Sequence, residues 1–158
     1  MFKIGITGVG GGVGQSIIKS LKETDYELVT FDSDKLATGL YMNDNSYVLP
    51  EAKSNLYIDT LCDICKKERI TLLFPGLDAE LMPLALNKEK FKEIGTRVIV
   101  SNPDVINISN DKILTYKYLN SLNFKIPETI ETHLFIPDSL CYPFIVKPRH
   151  EGCRSKNV

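Results

Sequence analysis

Short apolar runs alternate with stretches whose apolar residues recur every three or four positions, from the N-terminus to about residue 100. Phe2 to Thr7 reads as a first strand. The helix after it places Val13, Ile17, Ile18 and Leu21 on one face. Leu28-Val29-Thr30-Phe31 predicts a second strand ending at Asp32, and Tyr47-Val48-Leu49 before Pro50 a short third. A helix containing Tyr57 to Lys67 leads into Thr71-Leu72-Leu73-Phe74, a buried strand closed by Pro75-Gly76. One helix over roughly Ala79 to Glu93 then precedes the strand Arg97-Val98-Ile99-Val100. Strands alternating with amphipathic helices predict an α/β fold, a Rossmann-like parallel-sheet sandwich covered on both faces.

After residue 100 the pattern changes. Asn102-Pro103 opens a short helix with proline in its first turn. Ser109-Asn110-Asp111 caps a second helix, with Leu114, Tyr118 and Leu122 in line. Two further strands are predicted near Glu128–Glu131 and over Tyr142–Lys147. A boundary falls near 102–111, giving domains 1–108 and 109–158.

Composition narrows the function classes. A chain of 158 residues with 43% hydrophobic content can bury a core without staples. A net charge of -1 gives no footprint for nucleic acid or an anionic membrane. No apolar run approaches a membrane span or a signal h-region, so a cytoplasmic protein is expected, with thiols rather than disulfides. Cys62-Asp63-Ile64-Cys65 has redox or zinc spacing, but it shares a helical face with Ile58 and Leu61 and reads as core. Near the C-terminus Lys147, Arg149, Arg154 and Lys156 face a single acid, Glu151, a cluster suited to a solvated tail or to a small polyanion.

Candidate chemistry follows the strand ends. Gly8, Gly11 and Gly14 are spaced G-x-x-G-x-x-G between the first strand and helix; strict G-x-G-x-x-G fails. Such glycines permit a tight turn, and N–H groups at the helix start can hold phosphate; the alternative is that they merely let helix and strand pack closely. On this reading Gly11→Val damages folding. Gly10 and Gly11 are candidate substrate contacts, and Asp32 is placed to grip a ribose. Beyond the fourth strand, Asp78 and Glu80 could orient a cationic or hydroxylated substrate, or serve as helix cap and dipole complement.

Lys112 stands in the first turn of a helix, at the positive end of its dipole, an arrangement that costs about 0.3–1 kcal/mol and that a bound anion would reverse. Lys147 ends the run Phe144-Ile145-Val146, expected to be buried, and a charge there needs a partner such as phosphate. No catalytic triad or metal-ligand spacing appears, and the catalytic residues are left unassigned.

Taken together these segments resemble the N-terminal part of ATP-grasp enzymes of the carbamoyl-phosphate-synthase-like group. The matching pieces are Ile6-Thr7-Gly8-Val9-Gly10-Gly11-Gly12-Val13-Gly14, Phe74-Pro75-Gly76-Leu77-Asp78-Ala79-Glu80, Asn110-Asp111-Lys112, Ile126-Pro127-Glu128-Thr129 and Ile145-Val146-Lys147-Pro148-Arg149. The resemblance implies a Rossmann-like pre-ATP-grasp domain followed by the beginning of an ATP-grasp domain. It implies that Lys112, Lys147, Arg149, Gly152 and Ser155 contact ATP, although Asn157 stands where glycine is more usual. The implied activity is a ligase: a carboxylate or bicarbonate becomes an acyl phosphate, then meets an amine-type nucleophile. ATP and Mg²⁺ are the implied cofactors, with the metal ligands expected beyond residue 158 and this chain alone inactive. Small-molecule carboxylate and amine substrates and a possible homodimer complete the expectation.

Two other readings stay open on the residues themselves. One is a non-catalytic Rossmann-type module that binds a nucleotide or small molecule. The other is an NAD-dependent short-chain-type oxidoreductase, which would carry a Tyr-x-x-x-Lys pair after the fourth strand; the sequence has none there.

Overall fold

The structure, a computed structural model, describes residues 2–136, 140 and 142–150. The chain divides into two compact units, 1–103 and 104–158.

The first unit is a five-stranded sheet in the order β3-β2-β1-β4-β5, built from β1 (Lys3–Ile6), β2 (Glu27–Asp32), β3 (Ser46–Val48), β4 (Leu72–Phe74) and β5 (Arg97–Val98). Every pairing is parallel, with Ile4 opposite Leu28 on one side and Leu72 on the other. Because side chains alternate along a strand, each strand feeds two cores. Ile4 and Ile6 join Val9, Ile18, Ala37 and Leu40 on the face covered by α1 (Gly12–Leu21). Val29, Phe31 and Leu73 point the other way, into a cluster with Tyr57, Leu61, Cys65, Leu84 and Phe91 from α2 (Tyr57–Glu68), α3 (Asp78–Leu86) and α4 (Lys88–Glu93). Each large side chain so buried contributes about 1.5–3 kcal/mol. Cys62 and Cys65 are free and buried, and burial pushes the Cys65 thiol up to about 12, so the pair is packing material.

Two helix ends in this unit, those of α2 and α4, are closed by left-handed residues. Arg69 (φ 56) ends α2, with Ile70 N donating to Cys65 O and Arg69 N to Lys66 O. Gly95 (φ 84) ends α4 in the same way, through Thr96 N to Phe91 O. The single helix expected over Ala79–Glu93 is two helices. Pro83 inside α3 has no N–H to give, and Asn87 turns its side-chain amide back onto Pro83 O at 2.9 Å, closing the helix there.

The second unit holds α5 (Pro103–Asn110) and α6 (Lys112–Ser121). Asp111 caps α6, accepting from Ile113 N at 2.8 Å and Leu114 N at 3.1 Å. Asn123 (φ 59) ends it, with Phe124 N donating to Leu119 O. The apolar stripe expected to be the buried face is not: Tyr118 and Leu122 are exposed, and Ile113 is buried instead.

Neither strand expected in this unit forms. Residues 128–131 are irregular and lead into a 3₁₀ turn, Thr132–Leu134, and the described residues of 142–147 have no ladder partner. A strand exists only through its pairing, and no described strand of this unit offers an edge. Ile145 and Val146 are therefore exposed (71% and 57%), where burial was expected. Among the described residues no helix is long and apolar enough to cross a membrane.

Candidate functional site

In the first unit, chain direction across the sheet reverses between β1 and β4. β1 continues through α1 on one face, whereas β4 is reached through α2 on the other. Ligands of open α/β sheets bind beyond the strand ends at such a point. Here those ends are tightly closed. Thr7 N donates to Phe74 O at 3.0 Å, and a Cβ on Gly76 would lie 2.2 Å from Thr7 O. Gly14 presses on Gly8 O, where a Cβ would fall at 2.6 Å.

The tight turn expected of the glycine run falls on Gly8, whose φ of +62 only glycine adopts easily. Gly11 does not supply it: as the residue before α1 it has φ -85 and ψ 162, open to any side chain. Gly10 is exposed, and its N–H is already used.

That N–H goes to Asp32, placed by the sequence reading on a ribose. Its Oδ2 accepts from Gly10 N at 2.7 Å and its Oδ1 from Asp34 N at 2.9 Å. The carboxylate is buried and braces the glycine loop from within.

Glu80 is likewise buried, at 4% exposure. Its Oε2 accepts from the Thr7 hydroxyl at 2.6 Å and from Leu77 N at 3.2 Å, closing the first turn of α3. The Thr7 hydroxyl in turn accepts from Gly76 N at 3.3 Å. Helix α3 thus begins at Asp78 with Glu80 reaching back, so Asp78 is not the cap. Asp78 itself is exposed. Tyr57 Oη completes the cluster. It is buried and makes no regular hydrogen bond, yet burial and the neighbouring Glu80 carboxylate raise its pKa far above the ordinary value. Burial also raises Glu80, against the opposing hydrogen bonds. Of the five residues proposed for substrate here, Asp32 and Glu80 are committed to the protein's own backbone and hydroxyls.

The second unit gathers charge around the start of α6. Arg149 places both Nε (2.8 Å) and Nη2 (2.7 Å) on Asp111 Oδ2, and Nη1 on Glu131 Oε2 at 3.0 Å. His150 Nε2 stands 3.6 Å from the same Asp111 oxygen. The Arg149 guanidinium holds the Asp111 carboxyl well below its usual range. Lys112 N donates to Arg149 O at 3.2 Å, so the first residue of α6 touches the segment that carries Lys147. Lys147 is exposed, at the end of a run that is itself exposed where burial was expected. Gly152 and Ser155 lie outside the described residues.

The sequence reading missed Thr7, Tyr57 and Glu131 as members of these clusters. Only Thr7 had a visible signal, a hydroxyl at the last position of a strand before glycine.

Residues 4–99 match the family described as PylC-like, N-terminal domain. No curated protein matches the chain significantly. Among solved structures, N5-carboxyaminoimidazole ribonucleotide synthetase from Thermotoga maritima is similar over 81% of this chain and 32% of its own, with TM-score 0.58 and 18% identity. N5-carboxyaminoimidazole synthetase from Staphylococcus aureus, complexed with ADP, is similar over 80% of this chain and 31% of its own, with TM-score 0.59 and 16% identity. The biotin carboxylase domain dimer of Hydrogenobacter thermophilus 2-oxoglutarate carboxylase, in complex with MgADP, ADP and bicarbonate, is similar over 80% of this chain and 29% of its own, with TM-score 0.57 and 20% identity. The chain spans about a third of the length of these structures.

Proposed function

The chain belongs to the PylC-like N-terminal domain family, and from that premise we propose that it is the leading part of an ATP-grasp ligase. In this reading a carboxylate or bicarbonate oxygen attacks the γ-phosphorus of ATP, giving an acyl phosphate and ADP. An amine-type nucleophile then takes the acyl carbon and releases phosphate. Support comes from two of the structurally similar proteins, a synthetase complexed with ADP and a biotin carboxylase domain in complex with MgADP and bicarbonate.

One observation carries the assignment to residues: the hydrogen bond from Lys112 N to Arg149 O joins the lysine-bearing end of α6 to the Lys147 segment. Two lysines brought into one neighbourhood at the start of a helix would suit a polyphosphate, whose charge also complements the dipole. Lys112 and Lys147 are therefore assigned to the ATP phosphates, with Gly152 and Ser155 as further contacts. Among the described residues no group of three His, Cys, Asp or Glu could hold a metal, so Mg²⁺ enters this reading as a companion of ATP and no step is routed through it. The Gly8–Gly14 turn and Asp78 remain the places in the first unit where a small-molecule substrate could touch exposed groups. A homodimer and a cytoplasmic location belong to the same proposal.

Lys147→Ala in the full-length protein tests it. MgATP affinity, read by titration calorimetry, should fall by at least about tenfold, the scale of one lost charge-assisted contact. The melting temperature should hardly change, because Lys147 is exposed. Unaltered affinity would remove Lys147 from the site and the ATP reading with it.

A further inference from the structure

Among the described residues three acids are buried: Asp32, Glu80 and Asp111. Asp111 is paired with Arg149, and Asp32 accepts one backbone N–H on each oxygen. Glu80 has neither arrangement. No basic side chain among the described residues pairs with it, and its two close donors, the Thr7 hydroxyl and Leu77 N, share Oε2. The other groups that face it are Gly76 N–H and the Tyr57 phenol, with the Cys65 thiol facing that phenol. Tyr57 opens α2, and its Oη is buried without a regular hydrogen bond, a donor held in reserve for a charged carboxylate.

A carboxyl enclosed in this way favours its protonated form, because burial penalises the charge, and Glu80 is raised accordingly against the hydrogen bonds it accepts. Water is close by: Leu77, Asp78 and Ala79, which lead into it, are exposed. Moving there, the carboxyl would release Leu77 N, which closes the first turn of α3, and the Thr7 hydroxyl, which also holds Gly76 N. The closed turn therefore binds the proton more tightly than an open one. Closure is full below the ordinary 4.5 and weakens as pH rises from there toward the folded value.

We propose that Glu80 is a proton-held latch on residues 75–80. Protonated, it fastens the start of α3 to the end of β1; on giving its proton to solvent it turns outward and frees them. The latch sits where the sheet reverses its winding, so it governs access to the strand ends there. It goes beyond the ATP reading and does not rest on it.

The test is hydrogen exchange of residues 75–81 in the full-length protein, read by mass spectrometry from about pH 5 to 8 and corrected for the intrinsic pH dependence of exchange. Protection at Gly76 and Leu77 should fall with rising pH, by up to about tenfold per pH unit, the limit for one linked proton. Glutamine has the same shape and cannot ionise, so Glu80→Gln should hold protection level across the range. Protection of the turn should also stay below that of β2 throughout, because a latch opens without unfolding the sheet. Tyr57→Phe removes a donor from the charged form, so there the fall should continue to higher pH. That variant decides the matter if Glu80→Gln does not fold. Level protection in the unaltered protein, the same fall in Glu80→Gln, or a Tyr57→Phe profile identical to the unaltered one would each overturn the proposal. So would equal protection of the turn and β2 at every pH, which would mean that the turn opens only with the whole fold. None of these outcomes depends on where ATP binds, so the ATP reading stands or falls separately, on Lys147→Ala.

Discussion

The hydroxyl of Thr7 donates a 2.6 Å hydrogen bond to the buried carboxylate of Glu80, tying the end of β1 to the first turn of α3. The same hydroxyl accepts from Gly76 N, so one side chain secures both strand ends at the point where the sheet reverses its winding. Thr7→Val keeps the shape and removes the hydroxyl. Glu80 would then stay buried with a missing donor, at a cost of about 1–3 kcal/mol. Urea unfolding at neutral pH measures it, and a loss under about 0.5 kcal/mol would mean the contact braces nothing.

Glu68 and Glu80 should pull the pH dependence of stability in opposite directions. Glu68 accepts from Tyr47, Asn45 and Lys3, and these partners, Tyr47 foremost, hold it down at about 2. Between that value and its ordinary 4.5 the unfolded chain binds more protons, so stability rises with pH across this window and is kept above it. Burial holds Glu80 above 4.5, so just above that value the folded chain binds more protons and stability falls as pH rises. Glu68→Gln should flatten the acid limb and cost about 1–3 kcal/mol at neutral pH. Glu80→Gln should flatten only the limb above 4.5. Urea midpoints from pH 2 to 8 separate the two; if both substitutions changed the same limb, the assignment of opposite shifts would be wrong.

Much of the first unit is legible from alternation alone. Ile4 and Ile6 against Val29, Phe31 and Leu73 sort themselves onto two faces because a strand has a period of two. What the residues hide is commitment. Asp32 looks available for a ribose, but its two oxygens are taken by Gly10 N and Asp34 N, a fact about loop geometry that residue spacing does not carry. Glu80 and Thr7, or Asp111 and Arg149, become partners only when the chain folds distant segments together. The segment 142–147 fails as a strand for a related reason. Its β-branched residues are suited to a pleated surface, and strand formation then depends on a neighbour the described part of this unit lacks.

Gly76, just after β4, and Gly12, the first residue of α1, should respond oppositely to alanine. A methyl group on Gly76 would lie 2.2 Å from Thr7 O, 3.2 Å from Gly8 O and 3.3 Å from Gly14 Cα. Backbone atoms cannot turn aside as a side chain can, so β1 and β4 would have to part where Thr7 N meets Phe74 O. Gly76→Ala should therefore cost about 1–3 kcal/mol or more. Gly12 opens α1 with nothing within 4 Å of an added Cβ and no positive φ. Alanine there removes freedom from the unfolded chain, so Gly12→Ala should stabilise by about 0.4–1 kcal/mol. Melting temperatures of the two variants, recorded side by side, decide it. A fall for Gly76→Ala with a rise for Gly12→Ala would place the need for glycine at the closed strand ends; equal shifts would mean that contact with Thr7 does not set it.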